Sequence, residues 1–266
     1  YRQGLTPSPC VLCNARMKFR QLARIAETVN AARIATGHYA RVRQDPATGR
    51  CQLLKALDRN KDQSYFLFEL NQHQLGKALF PLGGLTKLQV REIARRHGLP
   101  VAEKPESQEI CFVPEDDYAG FVERHGGELL GPEFAGGAFT GGEIVDTGGN
   151  VLGSHNGIHR FTVGQRRRLG IAHPVPLYVL ELLPEQRRVV VGERSELGRR
   201  SLRVVQPNWI SIPELGAPLK VSARIRSRHA EAPAIIQPAA DGSVQVEFEV
   251  PQPAVTPGQA CVFYQG

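Results

Sequence analysis

The chain has 266 residues, 41% of them hydrophobic and 22% charged, with 33 Lys and Arg against 26 Asp and Glu for a net charge of +7. That length suits about two domains with buried cores; no apolar run approaches the ~20 residues of a membrane span, and no signal-peptide pattern is present, so neither a membrane nor a secreted protein is expected. The basic excess lies in clusters, Arg95-Arg96, Arg166-Arg167-Arg168, Arg199-Arg200 and Arg224/Arg226/Arg228, which favours a polyanionic partner, the bland alternative being a solvated basic face.

The stretch TPSPCVLCNARMKF places Cys10 and Cys13 three residues apart ahead of a helical pattern. Five cysteines in a chain this long do not make a disulfide scaffold. In a reducing cytoplasm the pair reads as metal or redox chemistry, or as core. Ala15, Phe19, Leu22, Ala26 and Val29 step by four, three, four and three, which predicts a helix over 14–30. Cys13 is then expected at or near its N-terminus, where the helix dipole favours a thiolate. ARIATGHYARV reads as a short buried strand ending at Gly37-His38, the place where an α/β sheet offers backbone to a ligand. QLLKAL reads as another strand. LTKLQVREIARRHGL predicts a second helix, with Thr86 and Gln89 as a capping box and Gly98 as its stop.

Residues 126–157 are crowded with glycine and predict short strands joined by tight turns. From about residue 175, PLYVLELL, RRVVVGE, LKVSARIRS, SVQVEFEV and ACVFYQ alternate in strand fashion and predict a small β-barrel. The fold expected from these patterns is an α/β piece over 1–113, a small glycine-rich module over 114–177 and a β-barrel over 178–266.

The chain resembles the tRNA-specific 2-thiouridylases. TPSPCVLCNARMKF, ATGHYARV, LDRNKDQSYFLFEL, FPLGGLTKLQVREIA, SQEICFV, HRFTVGQRRRLGIA and VTPGQACVFY carry the resemblance, in family order along nearly the whole chain. The resemblance implies that the α/β piece is part of an adenine-nucleotide α-hydrolase-like, pyrophosphate-loop ATPase sheet. It also implies an activity: adenylation of O2 of the wobble uridine by ATP with Mg2+, then sulfur transfer to C2. The partners implied are tRNAs of the Lys, Glu and Gln type and a sulfur-donor protein or sulfide. Two departures stand out. The family's Ser-Gly-Gly-x-Asp-Ser phosphate loop is absent, the sequence opening at Tyr1 just downstream of its place, and Cys10 stands where the family usually has aspartate.

Carried over residue by residue, the resemblance makes Cys13 the nucleophile and Cys111 the persulfide cysteine. Gly37 lies against the nucleotide, where a side chain would block close approach; the alternative is a tight turn that needs glycine. Ser8, Pro9 and Cys10 stand beside the target base. His38, Lys61, Asp62, Gln63, Arg226, Ser227 and Gln259 match tRNA-contact positions; Lys61–Gln63 read alone would be a surface loop. Cys51 and Cys261 match nothing and read as strand or core residues. Cys10 adds a third thiol, so Cys10, Cys13 and Cys111 could hold a [4Fe-4S] cluster with one open iron. Zinc, or a metal-free persulfide and disulfide route, are the alternatives. Two other functions stay open: a non-enzymatic RNA-binding module, and another adenylating enzyme such as an argininosuccinate-synthase-like ligase.

Overall fold

In the computed structural model, residues 3–104, 111, 113, 117–130 and 140–265 are described, 126–130 by their backbone alone. The expectations for residues 131–139 and for most of SQEICFV lie outside them.

The first helical run begins earlier than its apolar stripe predicts. α1 (Pro9–Leu12) starts on Pro9, whose missing N–H costs nothing at the first helical position and whose fixed φ suits a helix. It runs on through a π-helical stretch, Cys13–Lys18, into α2 (Phe19–Thr28). Ala15, Phe19 and Ala26 are buried as the stripe requires, but Val29 is 66% exposed because the helix has ended. The N-terminal position expected for Cys13 belongs to Cys10, since the dipole acts only over the first turn and Cys13 lies one turn further in.

The short strand expected to end at Gly37-His38 is present and ends two residues sooner. β1 (Ile34–Ala35) stops short of it, and β2 (Ala40–Gln44) resumes beyond it as a hairpin with β3 (Cys51–Lys55). α3 (Gln72–Lys77), boxed by Asn71 and Gln74, leads into β4 (Ala78–Leu79), which pairs parallel with β1. A parallel pair joined through a helix is an α/β feature. α4 (Lys87–Arg96) carries both bonds of the predicted Thr86–Gln89 box, and Gly98 takes φ +63 beyond it.

The glycine-rich region departs from expectation at its start. α5 (Tyr118–Leu130) is a helix that includes Gly126 and Gly127. With Gly120 the helix holds three glycines, each costing about 1 kcal/mol, which the other ten positions outweigh. Beyond it, β5 (Gly142–Val145) and β6 (Val151–His155) form the predicted hairpin, its turn organised by Asp146, whose carboxylate accepts from the Gly148 and Asn150 N–H groups. β7 (Tyr178–Leu183) and β8 (Arg188–Gly192) complete a sheet of order β6-β5-β8-β7. This pairing joins residues 178–192 to the middle sheet, although they fall after the 177/178 boundary drawn from sequence.

The last sheet has the order β13-β10-β11-β12-β9, from β9 (Gly198–Val204), β10 (Leu219–Arg224), β11 (Ala232–Pro238), β12 (Val244–Pro253) and β13 (Val262–Tyr264). Alternation along β12 turns Val244, Val246 and Phe248 into one core with Ile236 and Ala234, as period-two patterning demands. Among the described residues no helix is long and apolar enough to cross a membrane.

Hydrogen bonds weld this sheet to the α/β piece. Tyr65 donates to the Ala260 carbonyl at 2.9 Å, Ser64 meets the Tyr264 hydroxyl at 3.0 Å, Arg50 reaches the Trp209 and Ile210 carbonyls, and Lys55 pairs with Glu231 at 2.6 Å. At the chain's beginning, Thr6 N donates to the Pro257 carbonyl at 2.8 Å. Gly258 makes that contact possible: it holds φ +87, and a Cβ there would lie 2.9 Å from both the Leu5 Cβ and the Thr6 nitrogen. Gly258→Ala is therefore expected to cost roughly 1–3 kcal/mol, read as a lower urea midpoint with an unchanged slope.

Candidate active site

Three of the five cysteines share one region. Cys10 and Cys13 are half-buried on the helical run and Cys111 is exposed. Burial pushes the Cys10 thiol up first, and the Cys111 and Cys13 sulfurs then raise it further, against a smaller lowering by Lys18. Residues a hundred positions apart are thus within electrostatic reach of one another, and Cys10 is held as a thiol rather than the third thiolate expected. Among the described residues no group of three His, Cys, Asp or Glu is close enough to hold a metal ion. Cys51 and Cys261 are strand and core residues as expected; burial pushes the Cys261 thiol up to about 12.

Asn14, next to Cys13, is a functional-site residue that the sequence reading missed. It is 4% exposed. Its Nδ2 donates to the Phe66 carbonyl at 3.3 Å, which leaves Oδ1 to accept from His38 Nε2 at 3.2 Å. Nδ1 of His38 is then free to accept from the Thr36 hydroxyl at 2.9 Å. The imidazole packs on Phe19 and Phe80, with ring centroids 6.0 and 6.1 Å away. Burial, and behind it the charge of Lys18, holds His38 down at about 4 against the usual 6.5, so the ring is neutral at pH 7. Both of its ring nitrogens are engaged within the protein. The available signal was an asparagine inside the apolar stretch Val11–Phe19, since a buried amide demands partners.

The relay ties the Gly37-His38 loop to the Cys13-Asn14 turn by one hydrogen bond. A π-helical stretch carries one more residue per bond than an α-helix and occurs often at functional sites; here it begins on Cys13. Gly37 does not have a left-handed φ, and a Cβ there would meet only Leu82 Cδ1, at 3.9 Å. The tight-turn explanation for Gly37 therefore falls. Among the described residues no neighbour demands glycine, and the open side leaves room for a ligand to approach the backbone.

Lys61–Gln63 is a half-buried turn rather than a surface loop. The Asp62 carboxylate accepts from Ala56 N and the Ser64 hydroxyl and faces Arg224 at 3.7 Å, with its own side chain 3% exposed. Gln63 clasps Tyr39 twice, through its side-chain oxygen at 3.0 Å and its backbone N–H at 2.8 Å. Arg224 donates onward to the Arg226 and Ser227 carbonyls and so shapes the turn that presents both residues. Arg226 is half-buried, donates to the Ala254 carbonyl, and keeps its buried Nε without a partner among the described residues. Ser8 and Gln259, 251 positions apart, meet at 3.2 Å, and Gln259 also donates to the Thr6 carbonyl at 2.8 Å. Pro9 opens the helix directly after Ser8. Ser8, Pro9, Cys10, Cys13, Cys111 and Gln259 are thus drawn to one edge, with Gly37 and His38 joined to it through Asn14.

Comparison with known proteins adds to this geometry. Residues 1–115 match the tRNA methyl transferase HUP domain, residues 137–193 the tRNA methyl transferase PRC-barrel domain and residues 199–266 the aminomethyltransferase beta-barrel domain. The chain is 51% identical to the tRNA-specific 2-thiouridylase MnmA of Koribacter versatilis, over 100% of this chain and 71% of that protein. It is 48% identical to the one from Heliobacterium modesticaldum, over 100% of this chain and 67% of the relative. It is 46% identical to that of a Nostoc species, over 100% and 73%.

The neutral His38 makes stability depend on acid. Its folded value lies below its unfolded one, so the stability it carries is complete above about pH 6.5 and is lost as pH falls toward about 4. Urea midpoints measured between those limits should fall for the wild type and fall less steeply for His38→Gln, by the uptake of one proton.

Proposed function

The chain belongs to the tRNA-specific 2-thiouridylase family, and from that membership we propose that it exchanges O2 of a tRNA uridine for sulfur with ATP as activator. The observation that carries this reading is the single hydrogen bond, 3.2 Å long, between His38 and Asn14. It holds the glycine loop suited to a nucleotide and the turn that bears Cys13 in one frame. ATP supplies the adenylate that turns a poor oxygen leaving group into a good one; within this chain, the backbone at Gly37 fits its approach.

The sulfur chemistry falls to the thiols. A donor protein carrying a persulfide passes its outer sulfur to the Cys111 thiolate and leaves as a thiolate, so that Cys111 becomes the persulfide. Its terminal sulfur attacks C2 of the activated base, and AMP leaves with the bonding electron pair. Cys13 thiolate then attacks the Cys111 sulfur, which frees the base as 2-thiouridine and closes a Cys13–Cys111 disulfide. A dithiol reductant supplies two electrons and resets the pair. Free thiols in this role require a reducing compartment, and we place the protein in the cytoplasm. Ser8 and Gln259 at the site's edge are suited to the target base and its strand.

A cluster on Cys10, Cys13 and Cys111 is the second reading. The donor types suit iron, and the Cys111 and Cys13 sulfurs are near enough to add to the rise that burial gives the Cys10 thiol. As placed, the three do not form a metal-binding group, and no step above passes through one. Iron and sulfide analysis of protein purified without oxygen decides between the readings. Stoichiometric iron lost in Cys10→Asp supports the cluster; no iron, even after reconstitution, leaves the persulfide route.

Cys13→Ser and Cys111→Ser should each abolish 2-thiouridine formation, followed by nucleoside mass spectrometry, while tRNA affinity stays within about twofold, because phosphate contacts dominate binding. Full thiolation by either variant would remove that thiol from the chemistry.

A further inference from the structure

Arg166, Arg167 and Arg168 stand on the turn between Phe161 and Leu169, two core residues of the middle sheet. All three are exposed. Among the described residues none of their guanidiniums has a hydrogen-bond or ion-pair partner. The contrast with neighbouring arginines is direct: Arg160 pairs with Glu123 at 2.5 Å and Arg188 with Glu143 at 3.0 Å. The three charges are therefore left facing solvent together, where their mutual repulsion is uncompensated.

The turn that carries them is firmly built. Gly164 N donates to the Val179 carbonyl at 2.7 Å and Val179 N to the Gln165 carbonyl at 2.9 Å. The Gln165 side chain then accepts from Thr162 N and donates to the Arg167 carbonyl, at 3.1 and 2.9 Å. Within this frame Arg168 adopts φ +62, a left-handed conformation that disfavours a long L side chain and suits glycine. Strain of this kind is retained where a side chain is needed. Arg166 and Arg168 line a cleft of about 340 Å3 with His173, floored by Leu169 and Leu177, and no Asp or Glu lines it.

The cleft adjoins a charge already placed. A Cβ on Gly164, two residues before Arg166, would lie 3.4 Å from the Arg226 guanidinium. The Thr256 hydroxyl ties the same segment to the last sheet through the Val163 carbonyl at 3.3 Å. The segment that bears Arg166 and Arg168 thus meets Arg226 at Gly164, where the two sheets join. The exposed guanidiniums of Arg166 and Arg168, which have no partner among the described residues, stand on rigid backbone and suit successive phosphates of an extended polyanion. Their site is open rather than enclosed, which suits a free small anion less well.

We propose that Arg166 and Arg168 form a phosphate-binding track that grips the RNA backbone outside the thiol site, beside the contact position already assigned to Arg226. This rests on the tRNA reading above and extends it to a surface that takes no part in the chemistry. The test measures binding of unmodified tRNA over a range of salt concentrations to the protein, to Arg168→Gly and to Arg166→Ala. Arg168→Gly should keep or raise the urea midpoint, since glycine accepts φ +62 at no steric cost, yet bind tRNA several-fold more weakly, with a salt slope lower by about 1 unit. Arg166→Ala should lower the slope by a similar amount. Salt-dependent binding by the wild type with both variants unchanged would overturn the track and leave the tRNA reading standing. Loss of affinity for ATP or inorganic phosphate in the variants, with tRNA binding intact, would overturn it in favour of a small-anion site. Wild-type protein that binds no tRNA at all would overturn both readings.

Discussion

A loop at the end of the chain, Thr256–Gln259, closes on the segment Thr6–Ser8 at its beginning. The rest of the site hangs on this contact. The Thr6 N–H bond to Pro257 and the two bonds of the Gln259 side chain fix the approach to Pro9, where the thiol helix starts. The contact demands that Gly258 carry no side chain and hold a left-handed φ. Behind it, Tyr65, Ser64 and Lys55 lock the last sheet to the α/β piece by bonds spanning 176 to 200 positions. A helix that starts on proline in an irregular segment has no register of its own; here the far end of the chain supplies it.

The electrostatics divide into a quiet interior and a basic rim. Inside, His38 is neutral, Cys10 is held protonated and the Asp62 carboxylate is buried against Arg224. The charge that reaches both Cys10 and His38 is that of Lys18. Outside, Arg166, Arg167 and Arg168 are exposed, and their segment meets Arg226 where the two sheets join. In the function proposed above, attraction of a polyanion and chemistry on one of its bases use different residues, so substitutions on the rim are expected to act on affinity and those in the interior on reaction.

The buried amide of Asn14 connects the two halves of the catalytic piece. It satisfies the Phe66 carbonyl and the His38 ring at once, and it lies on the π-helical turn that begins at Cys13. A hydrogen-bonded amide inside an apolar helix face specifies one rotation of the helix, because any other would leave the amide and the imidazole without partners at a cost of roughly 1–3 kcal/mol each. This fixes the direction of Cys13 more sharply than the apolar stripe alone could.

Local rules sufficed for much of the chain. The Thr86–Gln89 box, Gly98 beyond α4, the hairpin over Asp146–Asn150 and the alternation of β12 all follow from neighbours in sequence, and the motifs around Cys13 and Cys111 named the family. Strand pairing was decided elsewhere. β8 takes β5 as a parallel partner across more than forty residues, and no local pattern distinguishes that from joining the next sheet. The roles of single residues divided in the same way. Asp62 and Gln63, read without the resemblance, would be a polar surface loop, but Ala56, Tyr39 and Arg224 engage them and hold the turn half-buried. The sequence by itself determined which chemical groups are present and which local turns they sit on, since these depend on spacing of a few residues. Only the tertiary structure decided which groups meet, because burial and hydrogen bonding between distant segments set the charge of His38 and Cys10, the direction of Cys13 and the exposure of Arg166 and Arg168.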